Sequence, residues 1–241
     1  MKAETGGVQS ALRERLERVG ERVREAARRA GRDPAEVTLV GVSKTHPAAS
    51  VREAFEAGLR DFGENRVQEA DGKIEELKSS ARGARWHLIG HLQSNKARRA
   101  ARLFDLIHTI DSAPLARKLE HACAEDGRER LDVLIQVDLA GEETKGGAPA
   151  DELPALARVF EEFARVRCVG LMTLPPYFEE VERVRPYFRR LRELRDGLKA
   201  GGLFGDSRGE LSMGMSHDFE AAVEEGATLV RIGTAIFGER G

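Results

Sequence analysis

Eight short strand candidates recur along this chain, most of them followed by a segment of helical period, and that alternation narrows the available folds more than any other feature. The runs cover residues 37–42, 61–63, 85–89, 106–110, 131–137, 168–173, 210–212 and 228–232. Ahead of them, Val8, Leu12, Leu16, Val19, Val23, Ala26 and Ala30 repeat at helical spacing with arginine and glutamate between. They predict a leading helix over about 8–30, stopped by Gly31. Further helices are expected over about 47–57, up to 78, through the basic stretch 96–102, up to 124, and over 152–164, 179–198 and 216–225. Eight strands alternating with helices predict an α/β fold, a single (β/α)8 TIM barrel with an extra N-terminal helix, filling 1–241 as one domain. The second and seventh runs are short, so the count rests partly on regular spacing. No G-x-G-x-x-G or P-loop follows an early run, which weighs against dinucleotide and nucleoside triphosphate binding.

Charge and cysteine content exclude further classes. With 39 basic and 41 acidic side chains the net charge is −2, so there is no global field for nucleic acid or anionic lipid. The basic cluster from Lys96 to Arg102 and the arginines between Arg183 and Arg195 lack aromatic interleaving, and read as solvated helix faces. Cys123 and Cys168 lie far apart without a C-x-x-C partner, which points to a reducing compartment and to no metal site. The polar start M-K-A-E-T-G-G has no apolar signal core, and no membrane span follows. A cytoplasmic protein is expected.

The chemistry gathers where the apolar runs end. V-T-L-V-G-V-S-K-T-H-P, residues 37–47, drives a buried strand into Lys44. In a parallel barrel that is the ligand-binding end, where a partly desolvated lysine can attack a carbonyl. Two later loops suit an anion: L-S-M-G-M-S-H-D, with Ser212, Gly214 and Ser216 before a helix, and V-R-I-G-T-A-I-F-G, with Gly233 and Thr234. Either loop alone is only a turn. Together with a strand-end lysine they suggest a phosphorylated carbonyl compound, and pyridoxal phosphate requires this combination.

The runs V-G-V-S-K, F-G-E-N-R-V-Q-E, W-H-L-I-G-H-L-Q-S-N-K, G-L-M-T, L-S-M-G-M-S-H-D and V-R-I-G-T-A-I-F-G, in order and over nearly the whole chain, resemble the pyridoxal phosphate homeostasis (YggS/PROSC) family. That resemblance implies a barrel similar to the N-terminal domain of alanine racemase, and pyridoxal 5′-phosphate (PLP) held as a covalent aldimine on Lys44. It implies phosphate contacts from Ser212, Gly233 and Thr234, with Gly214 and Ser216 shaping the loop. Arg231 would face the pyridine nitrogen, Asn65 the ring hydroxyl or its surroundings, and Met172 would pack near the ring. Trp86 and His87 lie in a strand and are expected to be core, His87 satisfied by a backbone partner. In the stretch E-E-T-K-G-G, residues 142–147, Gly146 stands where the family usually has serine.

The function so implied is a PLP carrier or reservoir in vitamin B6 homeostasis, with no established catalysis, acting as a monomer with apo PLP-dependent enzymes as recipients. The alternative is a PLP-dependent amino acid racemase of weak, one-base activity. Two-base racemisation needs a second acid/base opposite the lysine. The sequence has Tyr177 and Tyr187 alone as tyrosines. Tyr177 could reach the barrel mouth, Tyr187 is expected in the outer layer, and no additional domain is expected to supply another.

Overall fold

The structure, a computed structural model, describes residues 4–141 and 146–239. The strands are β1 (Thr38–Val42), β2 (Asp61–Glu64), β3 (Arg85–Leu88), β4 (Leu106–Ile110), β5 (Leu131–Asp138), β6 (Ala148–Pro149), β7 (Val166–Met172), β8 (Glu210–Ser212) and β9 (Leu229–Ile232). All pairings are parallel, in the order β1-β2-β3-β4-β5-β7-β8-β9, and β9 returns to β1. This is the expected eight-stranded barrel. The addition is β6, two residues pairing with the end of β5 at Val137 and Ala148.

The helices are α1 (Glu4–Arg29), α2 (Ala48–Glu56), α3 (Val67–Leu77), α4 (Ala97–Leu103), α5 (Ala113–Glu125), α6 (Leu153–Val159), α7 (Arg185–Ala200), α8 (Phe219–Glu224) and α9 (Thr234–Phe237). Three are shorter than the periodicity predicts. The segment expected as one helix over 179–198 opens with a 3-10 turn, Val181–Val184, and α7 starts at Arg185 with Pro186 in its first turn, where a missing N–H costs nothing. The segment expected over 152–164 ends in a 3-10 turn, Phe160–Glu162. The segment expected over 216–225 begins as α8 only at Phe219, because the Asp218 carboxylate accepts from Met215 N–H at 2.7 Å and closes a turn first.

Alternation along the strands sorts side chains into two regions. On β9, Val230 and Ile232 join the layer between strands and helices, whereas Leu229 joins Val40, Leu134, Val169 and Met172 inside the barrel. Polar residues share that interior: Asp61, His87, His108, Ser212 and Arg231 are all buried. Helix α1 packs on α8 and α9, covering the seam where β9 meets β1. Arg22 reaches Glu220 through two bonds of 3.0 and 2.9 Å, and Arg15 Nε donates to the Ile236 carbonyl at 2.7 Å. Among the described residues no helix is long and apolar enough to cross a membrane.

Phe62 is fully buried on the helix-facing side of β2, its ring 5.6 Å from that of Trp86. Phe62→Ala is expected to cost about 3–5 kcal/mol of unfolding free energy, measured by urea denaturation.

Candidate functional site

Strand β1 ends at Val42, and the next three residues turn sharply. Thr45 has φ 67°, the single non-glycine residue in the left-handed region among those described. A threonine there costs about 1–2 kcal/mol, so its neighbours must hold it. Its N–H donates to Glu69 Oε1 at 2.5 Å. Lys73, on α3, then ties this turn together: its Nζ donates to the Ser43 carbonyl, Glu64 Oε1 and Glu69 Oε1, each at 2.7 Å. The Ser43 hydroxyl also donates to Glu64 Oε1, at 2.6 Å. Burial pushes the Glu64 carboxyl up, against the opposing pull of Lys73 and Ser43. Lys44 sits between the two clamped residues, half-buried.

A cavity of about 350 Å³ opens at this carboxyl-end mouth. Lys44, Asn65, Ser216, Arg231, Gly233 and Thr234 line it, with His46, His217, Val42, Ile89, Leu174, Met215 and Gly238. None of these carries a carboxylate, and four carry a cationic or imidazole side chain, so the walls favour an anion. Asn65 is placed by Gly90: a Cβ on Gly90 would meet the Asn65 carbonyl oxygen at 2.3 Å, so only glycine lets the two loops approach. The Ser216 hydroxyl accepts from Gly233 N–H at 3.3 Å, joining the two loops that sequence spacing singled out.

Arg231 is the buried cation of the site. Its Nη1 donates to Ser212 Oγ at 2.5 Å and its Nη2 to the Thr173 carbonyl at 2.9 Å. Burial lowers its pKa to about 10, partly opposed by Asp218, so it stays charged at neutral pH. Burial in turn pushes the Asp218 carboxyl up, against the bond from Met215 N–H.

Three expected site residues lie off the cavity wall. Ser212 is fully buried, and its hydroxyl serves Arg231 and the His108 ring, whose Nδ1 lies 2.8 Å away. Gly214, at φ 89°, lies beneath the loop, with its carbonyl accepting from Arg231 N–H at 3.0 Å. Met172 packs in the barrel interior with Val40 and Leu134. His87 is core as expected, but its partners are side chains, Asp61 at 2.9 Å and His108 at 3.0 Å, rather than backbone. Tyr177 reaches the rim, 73% exposed, its ring 5.1 Å from that of His217; Tyr187 instead stacks on Phe178. Of the loop 142–147, residues 142–145 lie outside the described residues, while Gly146 adopts φ 64° and its carbonyl accepts from Gln136 at 3.1 Å.

Sequence reading missed the clamp of Glu64, Glu69 and Lys73. The (i, i+4) spacing of Glu69 and Lys73 was its visible signal, but that spacing usually marks an exposed pair. A second, larger cavity of about 540 Å³ opens at the opposite, amino-terminal mouth. Its arginines are matched by carboxylates, as in Arg85 with Asp61 at 2.6 Å and Arg208 with Glu210 at 2.8 Å, and it holds no lysine. That face of a barrel serves stability, and we place the chemistry at the smaller cavity. Among the described residues no group of His, Cys, Asp and Glu is arranged to hold a metal ion.

With this geometry in place, comparison with known proteins identifies the family. The family model of the alanine racemase N-terminal domain matches residues 15–241. The pyridoxal phosphate homeostasis protein of Aquifex aeolicus is 48% identical over 227 residues, spanning 94% of this chain and 97% of that protein. The solved structure of PipY from Synechococcus elongatus PCC7942 with PLP bound is 39% identical, with a TM-score of 0.81 over 94% of this chain and 100% of that one. Alanine racemase from Corynebacterium glutamicum, 18% identical with a TM-score of 0.61 over 93% of this chain and 61% of its own, shares the fold alone. The chain therefore belongs to the alanine racemase N-terminal domain family. Within that family it is a member of the pyridoxal phosphate homeostasis (YggS/PROSC) proteins.

Glu69→Gln is expected to weaken the clamp on Thr45 and cost about 1–3 kcal/mol in urea denaturation at pH 7. Burial raises the Glu69 pKa, but bonds from Lys73 and Thr45 N–H outweigh it and leave it below the ordinary 4.5. The difference between wild type and Glu69→Gln should therefore be full above about pH 5 and shrink as pH falls through the folded-state value.

Proposed function

We propose that this protein is a cytoplasmic carrier of pyridoxal 5′-phosphate, a monomer that holds the cofactor on Lys44 and surrenders it to apo PLP-dependent enzymes. The observation that carries this reading is the single cavity in which a strand-end lysine, a buried arginine and two hydroxyl-bearing loops converge without a carboxylate. PipY, of similar fold and sequence, has a solved structure with PLP bound, which supports the same ligand here.

The residues present fit that group. Lys44 would hold its aldehyde end, Ser216, Gly233 and Thr234 its phosphate, and Arg231 its ring nitrogen, with Asn65 beside the ring. When bound, PLP supplies an aldehyde that condenses with amines and a ring that withdraws electrons. Arg231 restrains the second property, because a guanidinium still charged at neutral pH does not give its proton to a ring nitrogen. The clamp of Glu64, Glu69 and Lys73 keeps the Ser43–Thr45 turn fixed, so Lys44 is presented without reorganisation. An open mouth leaves Lys44 within reach of an incoming amine, which suits release more than turnover.

The second reading, one-base racemisation, draws on one observation: His217 lines the cavity and the Tyr177 ring lies 5.1 Å from it, tilted by 38°. Lys44 would be the base.

Purified wild type incubated with PLP should show a visible absorption band that borohydride abolishes, leaving a pyridoxyl group on Lys44 by peptide mass mapping. Lys44→Ala should lose that adduct at position 44. Release of PLP to an apo-enzyme, without conversion of L- to D-alanine, separates carrier from racemase. A wild type that stays colourless after incubation with PLP and removal of the excess would refute the cofactor assignment.

A further inference from the structure

A buried chain of hydrogen bonds crosses the barrel interior from one mouth to the other. Asp61, which lines the amino-terminal cavity, lies 2.9 Å from His87 Nε2. His87 Nδ1 is 3.0 Å from His108 Nε2, and His108 Nδ1 is 2.8 Å from Ser212 Oγ. Ser212 accepts from Arg231, which lines the carboxyl-end cavity. All five residues are at most 5% exposed.

We propose that Asp61, His87 and His108 are positioning residues for Arg231, fixing from the far end of the barrel how its guanidinium is presented to the cofactor. The proposal rests on the PLP reading above.

The ends of the chain are of opposite kind, and with two neutral rings between them only one arrangement of protons pairs every group. Arg231 can only donate and the Asp61 carboxylate can only accept. An accepting Asp61 requires a proton on His87 Nε2, which leaves the Nδ1 lone pair of a neutral ring. That lone pair requires a proton on His108 Nε2, so His108 Nδ1 accepts from the Ser212 hydroxyl. With its proton committed to His108, Ser212 turns a lone pair to Arg231. Burial, with the Arg231 charge adding to it, holds His108 well below the usual histidine range, in keeping with a neutral ring. Two bonds, to Ser212 and the Thr173 carbonyl, then pin the guanidinium while its other N–H groups remain for the cavity. Without His108 the serine hydroxyl could rotate its proton toward Arg231 and forfeit one of these bonds.

The test combines nitrogen NMR with binding. In wild type without ligand, long-range proton–nitrogen spectra should show both rings neutral with the proton on Nε2. His108→Phe keeps the ring volume, and Asp61→Leu removes the distant acceptor; folded samples, checked by circular dichroism, should bind PLP about tenfold more weakly with a shifted visible band. Arg85→Gln, which removes the other partner of Asp61, should bind as wild type does. Should either relay variant fail to fold, the ring tautomers of the wild type decide. A proton on His108 Nδ1, or a folded His108→Phe with wild-type affinity and band, overturns the proposal. A wild type that binds no PLP defeats the cofactor reading and this use of the chain with it, while the nitrogen spectra still report the chain itself.

Discussion

Closure of the barrel through β9 and β1 is the constraint on which the rest depends. Thr38 to Gly41 pair with Leu229 to Ile232, residues from opposite ends of the chain. Because every strand runs parallel, closure brings all eight carboxyl ends to one mouth, and Lys44 meets the loops after β8 and β9 there. Helix α1 seals the same seam from outside, with Arg15 and Arg22 bonded to the last two helices. Ligand site and closing seam are thus one region of the molecule, so whatever loosens the seam loosens the site.

A barrel this small is ordinarily filled with branched aliphatic side chains. This one keeps Val40, Leu134, Val169, Met172 and Leu229 but buries Asp61, His87, His108, Ser212 and Arg231 among them. Leaving one such group unpaired costs about 1–3 kcal/mol, and here each finds a partner in its neighbour. The charge at either end is stabilised in different ways. Burial raises the Asp61 pKa, but bonds from His87 and Arg85 outweigh it and keep it ionised, whereas Arg231 relies on Ser212, the Thr173 carbonyl and nearby Asp218. The clamp beside Lys44 uses all three Lys73 protons but leaves Glu64 Oε2 buried without a partner.

Much of this was legible beforehand. The apolar run ending in Lys44 and the regular spacing of the stretches ending in Asn65 and Gly233 gave the strands, their polarity and the mouth at which the candidate site lies. The resemblance of six motifs brought the family and the cofactor, and the family match agrees with it. Ser212 was harder to place. A serine beside Gly214 and Ser216 reads like its neighbours, yet it is the last residue of β8 and points inward, where Arg231 and His108 take its hydroxyl. Met172 likewise turned toward the interior rather than the cavity wall. Helix starts at 185 and 219 shifted because a 3-10 turn and an aspartate turn compete for the same residues.

The sequence by itself determined the number and direction of the barrel strands, the lysine at the end of the first of them and the two small-residue loops, because these depend on neighbours a few residues apart. Only the tertiary structure decided which polar side chains enter the barrel, how the two histidines are ordered between Asp61 and Ser212, and that Lys73 clamps the turn carrying Lys44. Those partners lie up to 104 residues apart. Their pairing is set by strand register and barrel closure, and local periodicity carries no trace of either.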